Sequence, residues 1–179
     1  MIRVVLTVLL AVALVAVSLP ALDDARTETT VERIGSEAER IERAAAEVTT
    51  DSVAVDEPAL AARASHVVRA PTGFDAAPMD ELTLVSVDSG RIGETNLDRI
   101  DGTVTDGGNG GRITSADIAL IYHLRGEPVR AIPIPTPADA VEIAVVDGPI
   151  ELRSAGESRI EFRFVTGENG AVIRISRAG

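Results

Sequence analysis

The first apolar stretch of the chain runs from Val4 to Leu22 and contains no charged residue. As an α-helix these nineteen residues would span about 28 Å, close to the hydrocarbon core of a bilayer. A helix is the expected form, because a bilayer offers backbone amides no other partner. The pattern therefore predicts a transmembrane anchor over residues 1–22. The residues assigned to this anchor include Val4, Leu10, Leu14 and Pro20.

The flanks of this stretch predict its orientation. Arg3 precedes it, and Asp23 and Asp24 follow it, so the positive-inside rule places the amino terminus in the cytoplasm and the remainder outside. Pro20 is expected to kink or end the helix near its outer end. Two alternatives stay open, a buried core helix and a signal peptide cleaved after Ala16-Val17-Ser18, although signal peptides usually have an apolar run of only ~7–15 residues.

A second pattern covers residues 23–50, where apolar residues recur at alternating intervals of three and four. This is the spacing of a heptad seam on an amphipathic helix, with the charged residues on solvated faces. The seam residues are Val31, Ile34, Ala38, Ile41, Ala45 and Val48. A seam this short and alanine-rich is marginal alone in water. It needs the chain's own sheet, another copy or a neighbouring subunit as partner, and we expect Ile41→Asp to disrupt it while the β domain stays folded.

Beyond a linker or short helix at residues 51–62, the period changes to two, and residues 63–179 are predicted to form an antiparallel β domain. The predicted strands are 66–69, 82–87, 116–124, 129–134, 141–145, 150–152, 160–164 and 171–176. Pro133 indicates an edge or a connection. The expected fold is α+β: a transmembrane helix continued by an amphipathic helix, then a small antiparallel sheet or sandwich.

Composition excludes several classes of function. The chain has 28 acidic and 17 basic residues and a net charge of −11, and without a basic stripe it is not expected to bind nucleic acid. It contains no cysteine, which rules out disulfides, thiolate metal sites and cysteine nucleophiles. The acidity, the lack of lysine and the abundance of Ala and Val resemble proteins of salt-loving archaea, in which acidity serves solubility.

No motif indicates catalysis, and we expect no enzyme, no cofactor and no small-molecule substrate. The glycine-rich residues 101–111 contain the oxygen ligands Asp101, Asp106 and Asn109, which are weak candidates for a hard cation. They lack the spacing and closing glutamate of an EF-hand, so a flexible hairpin is the preferred interpretation and no metal is expected. A surface hydrolase would need two facing carboxylates.

The layout resembles archaeal type IV pilins and pilin-like proteins, which have an apolar helix, an amphipathic continuation and a Val- and Ile-rich β head. The counterparts here are Val4–Leu22, Val31–Val48 and residues 66–176, and Pro20 matches a proline familiar in such helices. The chain also resembles uncharacterised small anchored proteins of haloarchaea. The resemblance implies a membrane-anchored subunit of a pilus-like or secretion assembly.

Two departures refine this implication. Met1-Ile2-Arg3 stands where pilin precursors have a small residue after a basic leader, and no glutamate precedes Asp23. We therefore expect an unprocessed accessory subunit with a single membrane pass, a cytoplasmic amino terminus and an extracellular acidic β head. Its expected partners are membrane lipid and protein, either a second copy or other subunits. The alternative is a secreted or surface β-rich binding domain released by signal peptide cleavage.

Overall fold

The structure is a computed structural model that describes residues 2–87, 118–137, 141–146, 148–168 and 170–178. It begins with one helix, α1, from Ile2 to Thr50. The expectation that Pro20 could end the helix is wrong, because α1 continues through this residue. A proline inside a helix removes the backbone donor to the carbonyl oxygen four residues earlier, which is that of Ala16. The helix continues in spite of this single missing bond.

Eight strands follow the helix. They are β1 (Ala62–Ala70), β2 (Met79–Ser86), β3 (Ile118–Leu124), β4 (Arg130–Ile134), β5 (Val141–Val145), β6 (Ile150–Glu151), β7 (Gly156–Gly167) and β8 (Gly170–Arg177). They form two four-stranded sheets with the orders β1-β7-β8-β5 and β4-β3-β2-β6. The prediction of an apolar amino-terminal helix followed by a β-rich region is thus confirmed.

Pairing is antiparallel in both sheets except between β5 and β8, which run parallel. The expectation of purely antiparallel pairing is wrong for these two strands, whose register joins Val141 to Ala171 and Val145 to Ile175. No hairpin connects them, because β6 and β7 lie between them along the chain. A connection of that length lets strands pair in the same direction, and a period of two does not distinguish the two cases.

Residues 51–61 contain no helix. Val55 instead forms a single parallel bridge with Val165, and the backbone N–H of Thr166 donates to the carbonyl oxygen of Val55 at 3.0 Å. This segment therefore reverses the chain at the end of α1 and brings β1 back along the helix.

The core is shared between the helix and both sheets. Ile41 of α1, Leu120 of β3, Phe162 of β7 and Ile173 of β8 are all fully buried in one cluster. The helix packs against β1, β4 and β7, and β1 and β4 are edge strands of the two sheets. α1 therefore contacts an edge strand of each sheet, the position at which a sheet is open to further strand pairing.

The seam contacts the chain's own strands, one of the partners that the sequence left open. The buried seam residues are Ile34, Ala38, Ile41, Ala45 and Val48. Val31 is half-buried and packs against the same cluster. The second half of α1 is therefore part of the core of the β region.

Candidate functional site

The apolar segment, residues 4–22, holds most of the large hydrophobic side chains that are exposed in the described part of the chain. Its valines and leucines are all exposed, from 40% at Leu22 to 78% at Val17. Val4 is 68% exposed, Leu10 and Leu14 are each 61% exposed, and Pro20 is exposed within the helix. Single exposed apolar residues are ordinary, but a continuous apolar surface of this kind marks a site of interaction.

This segment also meets the chemical requirements of a lipid environment. By its length and composition, α1 is long and apolar enough to cross a membrane. Its hydroxyls have partners within the helix: Thr7 donates to the carbonyl oxygen of Arg3 at 2.9 Å, and Ser18 donates to that of Leu14. No free hydroxyl would have to be dehydrated on insertion, so the segment is compatible with a single membrane pass.

Immediately after the apolar segment, a row of polar residues joins α1 to the β region. We call Arg26, Thr30, Arg33 and Glu37 the junction stripe; their spacing of four, three and four puts them on one face of the helix. Each of them contacts a residue of the segment from His66 to Ala77. This segment includes the end of β1 and the loop before β2. The sequence pattern did not indicate this set, because charged residues of an amphipathic helix are expected on its solvated faces.

Two of these contacts fasten the β1–β2 loop to the helix. Thr30 is fully buried, and its hydroxyl oxygen accepts the backbone N–H of Ala77 at 2.8 Å. Arg33 pairs with the carboxylate of Asp75, and this hydrogen-bonded guanidinium lowers the pKa of Asp75 below its ordinary value of 3.8. Both members of the ion pair are exposed, so salt screens their attraction.

Glu37 is the buried charged residue of the stripe, with 4% of its surface exposed. One carboxylate oxygen accepts the backbone N–H of Arg69 at 3.1 Å, and the other lies 3.0 Å from a guanidinium nitrogen of Arg40. The Nε2 atom of His66 lies 3.4 Å from the first oxygen. Since Arg69 belongs to edge strand β1, the carboxylate satisfies a donor that would otherwise be open to a further strand.

The contact nearest the apolar segment joins Arg26 to Phe74. The guanidinium carbon of Arg26 lies 4.4 Å from the centre of the Phe74 ring, a cation–π distance. A terminal guanidinium nitrogen of Arg26 also lies 3.4 Å from a carboxylate oxygen of Asp23. The Phe74 side chain remains largely open to solvent, since the residue is 82% exposed.

Two open grooves flank the junction. The smaller, about 400 Å³, lies between α1 and the end of β1, and the larger, about 830 Å³, lies between α1 and β4. The carboxylates lining the larger groove, Glu32, Glu39 and Glu42, all belong to α1, whereas the facing wall contains Tyr122 and Arg130. Burial raises the pKa of Tyr122, which keeps its hydroxyl protonated. The facing carboxylates that a hydrolase requires do not occur in the lining of this groove.

The weak cation candidates Asp101, Asp106 and Asn109 lie outside the described residues. Within the described ranges, no group of three His, Asp or Glu side chains is placed to hold a metal ion. The absence of catalysis, cofactor and metal therefore stays a prediction.

A family model described as "Domain of unknown function (DUF7311)" matches residues 1–178. No curated protein and no solved structure matches the chain.

Proposed function

Because the chain belongs to the DUF7311 family, whose description assigns no activity, we propose its function from its own geometry. It is a non-enzymatic, membrane-anchored structural or accessory subunit. Its apolar segment crosses the membrane once, and the rest of α1 carries an acidic β region outside the cell. The observation that carries this proposal is the exposed apolar segment, which is continuous with the half of α1 that is buried in the core of the β region.

The segment has the length and affinity that an anchor needs. Valine and leucine make up twelve of its nineteen residues, and each contributes about 0.3–0.6 kcal/mol to insertion near the bilayer centre. Its helix of about 28 Å fits the ~30 Å hydrocarbon layer without strong tilt or thinning. Since nothing in the described part of the chain packs on it, lipid or the apolar helices of other subunits would cover it.

The orientation follows from the flanking charges. Arg3 lies on one side of the apolar segment, with Asp23 and Asp24 on the other, and basic residues remain on the cytoplasmic side. The β region then lies outside the cell. Its acidity serves solubility in concentrated salt, where counterions screen the mutual repulsion of its carboxylates.

The resemblance to pilin-like proteins supports assembly with other subunits, and the structure narrows the surface available for it. The seam is occupied by the chain's own strands, so assembly would use the apolar segment instead. Alanines at positions 11, 13, 16 and 21 permit close approach of neighbouring helices in lipid or in a filament core, where van der Waals packing drives association. The two sheets would then lie at the outside of such an assembly.

Labelling of single cysteines tests the orientation, because the chain has no cysteine of its own. Leu60 is 77% exposed beyond the end of α1. We expect Leu60→Cys to react with a membrane-impermeant maleimide on intact cells, and a cysteine added before Met1 to react after lysis only. The reverse pattern would contradict the proposed orientation.

Cross-linking and pull-down with the tagged full-length chain test the assembly. The expected result is recovery of a second copy or of other membrane-anchored subunits from solubilised membranes. A chain that is recovered alone at every concentration of cross-linker contradicts the assembly role, and a shortened chain in the medium indicates a secreted binding domain instead.

A further inference from the structure

We propose that the β region makes a second contact with the membrane through Phe74 in the β1–β2 loop. The ring would lie in the polar headgroup layer, beside the point where α1 leaves the hydrocarbon. This inference rests on the proposed function, because it takes the apolar segment to be inserted. It adds a contact that holds the β region at one height and orientation above the bilayer.

The order of the junction contacts places Phe74 at the membrane end of the β region. Along α1 from its carboxyl end, Glu37 meets β1, Arg33 meets Asp75, Thr30 meets Ala77 and Arg26 meets Phe74. Arg26 is four residues beyond Leu22, which is about 6 Å along a helix axis. Since the headgroup layer is roughly 5–8 Å thick on each side of the hydrocarbon, Arg26 and the ring stacked on it lie within that layer.

The exposure of Phe74 contrasts with the other phenylalanines. The chain has three; Phe162 and Phe164 are 0% and 6% exposed in the core, whereas Phe74 is 82% exposed. Phenylalanine is among the apolar residues that membrane-surface helices bury at the boundary between headgroups and acyl chains. The pair of Phe74 and Arg26 suits this layer, because the ring contacts the upper acyl chains while the guanidinium binds lipid phosphate.

Exposure alone would not identify this site, since Val53 and Leu60 are 81% and 77% exposed. Those residues follow the carboxyl end of α1 at Thr50, and the helix from Arg26 to Thr50 is about 36 Å long. They are therefore far from the bilayer when the apolar segment is inserted. Leu60 is a matched control for Phe74, because it is similarly exposed but lies near the opposite end of α1.

The experiment uses tryptophan as a probe of depth, because the chain contains none. Phe74→Trp and Leu60→Trp are each made in the full-length chain and reconstituted in phosphatidylcholine vesicles with and without brominated acyl chains. We expect Phe74→Trp to show blue-shifted emission and several-fold stronger quenching by brominated lipid than Leu60→Trp. Acrylamide added to the water should show the reverse order, and matching circular dichroism confirms that both variants fold.

The outcomes separate this inference from the anchor itself. If the chain floats with the vesicles but Phe74→Trp responds to both quenchers as Leu60→Trp does, the anchor stands and the second contact is overturned. Protection from acrylamide without quenching by brominated lipid also overturns it, since a protein partner would then cover the ring. A chain that does not float with vesicles overturns the proposed function and this inference together.

Discussion

At the residue scale, Glu37 links the helix to the edge of the first sheet. Its carboxylate is nearly fully buried and accepts the backbone N–H of Arg69 while lying against Arg40. A buried carboxylate is stable only when its oxygens have such partners. The residue therefore helps to fix the position of β1 on α1, and its removal leaves donors without an acceptor.

We predict that Glu37→Ala lowers the free energy of unfolding by about 1–3 kcal/mol, the cost of leaving a donor unsatisfied. Glu39→Ala is the matched control: the same change on an exposed position of the same helix, with an expected effect within about 0.5 kcal/mol. Denaturant titration of the full-length chain in detergent measures both. Equal effects of the two substitutions would show that Glu37 has no special role at the junction.

The Arg33–Asp75 pair is expected to make the stability of the folded chain depend on pH. Because the pKa of Asp75 is lowered in the folded chain from 3.8, the ionised form favours folding. This stabilisation is present above pH 3.8 and is lost as the pH falls through the lower folded pKa. We expect Asp75→Asn to lower the melting temperature at pH 7 in low salt and to have no effect in strong acid. A difference that is unchanged across this range would contradict the assignment.

At the element scale, the second half of α1 belongs to the core of the β region. Ile41 is fully buried in the cluster that contains residues of both sheets. This changes the expectation for Ile41→Asp, which the seam pattern alone predicts to leave the β domain folded. With the helix as part of the core, a buried aspartate has no partner and removes apolar contacts of both sheets.

We therefore predict that Ile41→Asp lowers the free energy of unfolding by roughly 3–5 kcal/mol, the scale of a lost core side chain plus a buried carboxyl. Ser36→Asp introduces the same residue at an exposed position of α1 and should be nearly neutral. Circular dichroism of the strands and denaturant titration provide the readout. If the strands of Ile41→Asp unfold at the same midpoint as those of the unsubstituted chain, the helix is not part of their core.

The sequence predicts those elements whose signal is local. Alternation of apolar residues indicated the strands around Leu84, Leu120 and Phe162, and each lies within β2, β3 or β7. In β7 the alternation reflects one buried face, with Ile160, Phe162 and Phe164 buried and the residues between them less buried. β2 and β3 are instead buried on both faces, as their nearly continuous apolar runs allow. The apolar helix has a local signal too, because a run of nineteen residues without charge predicts a helix of membrane length wherever it lies in the fold.

Features that depend on distant partners could not be predicted in this way. The parallel pairing of Val141 with Ala171 has no local signature, because a period of two fits either direction. The junction stripe was missed since Arg33 and Glu37 resemble solvated helix charges until Asp75 and Arg69 are brought against them. Continuation of the helix through Pro20 likewise depends on its surroundings rather than on its own propensity.

At the scale of the whole molecule, α1 is a single helix of 49 residues, about 73 Å long. Its first half is exposed and apolar, and its second half is fixed in the core of the β region. A continuous helix transmits position and rotation between the two parts more directly than a flexible linker would. The orientation of the β region above a membrane would therefore follow the tilt of the anchor.

We predict that Leu10→Arg strongly reduces membrane retention, because an arginine near the centre of a spanning helix costs ~2.5–3.5 kcal/mol on insertion scales. Leu10 is exposed and outside the core of the β region, so the substitution should leave the strands folded. Leu10→Ala at the same position should remain in the membrane fraction. Retention of both variants to the same extent would indicate that lipid does not surround this position.

The most direct test of the account is fractionation of the unsubstituted chain, followed by its intact mass. Membranes from cells that express the full-length chain are washed in high salt, which removes proteins held by surface charge alone. The account predicts that the chain stays with the membranes and that its mass still includes the residues from Val4 to Leu22. A chain found in the wash, or a mature form that begins after Leu22, would contradict it.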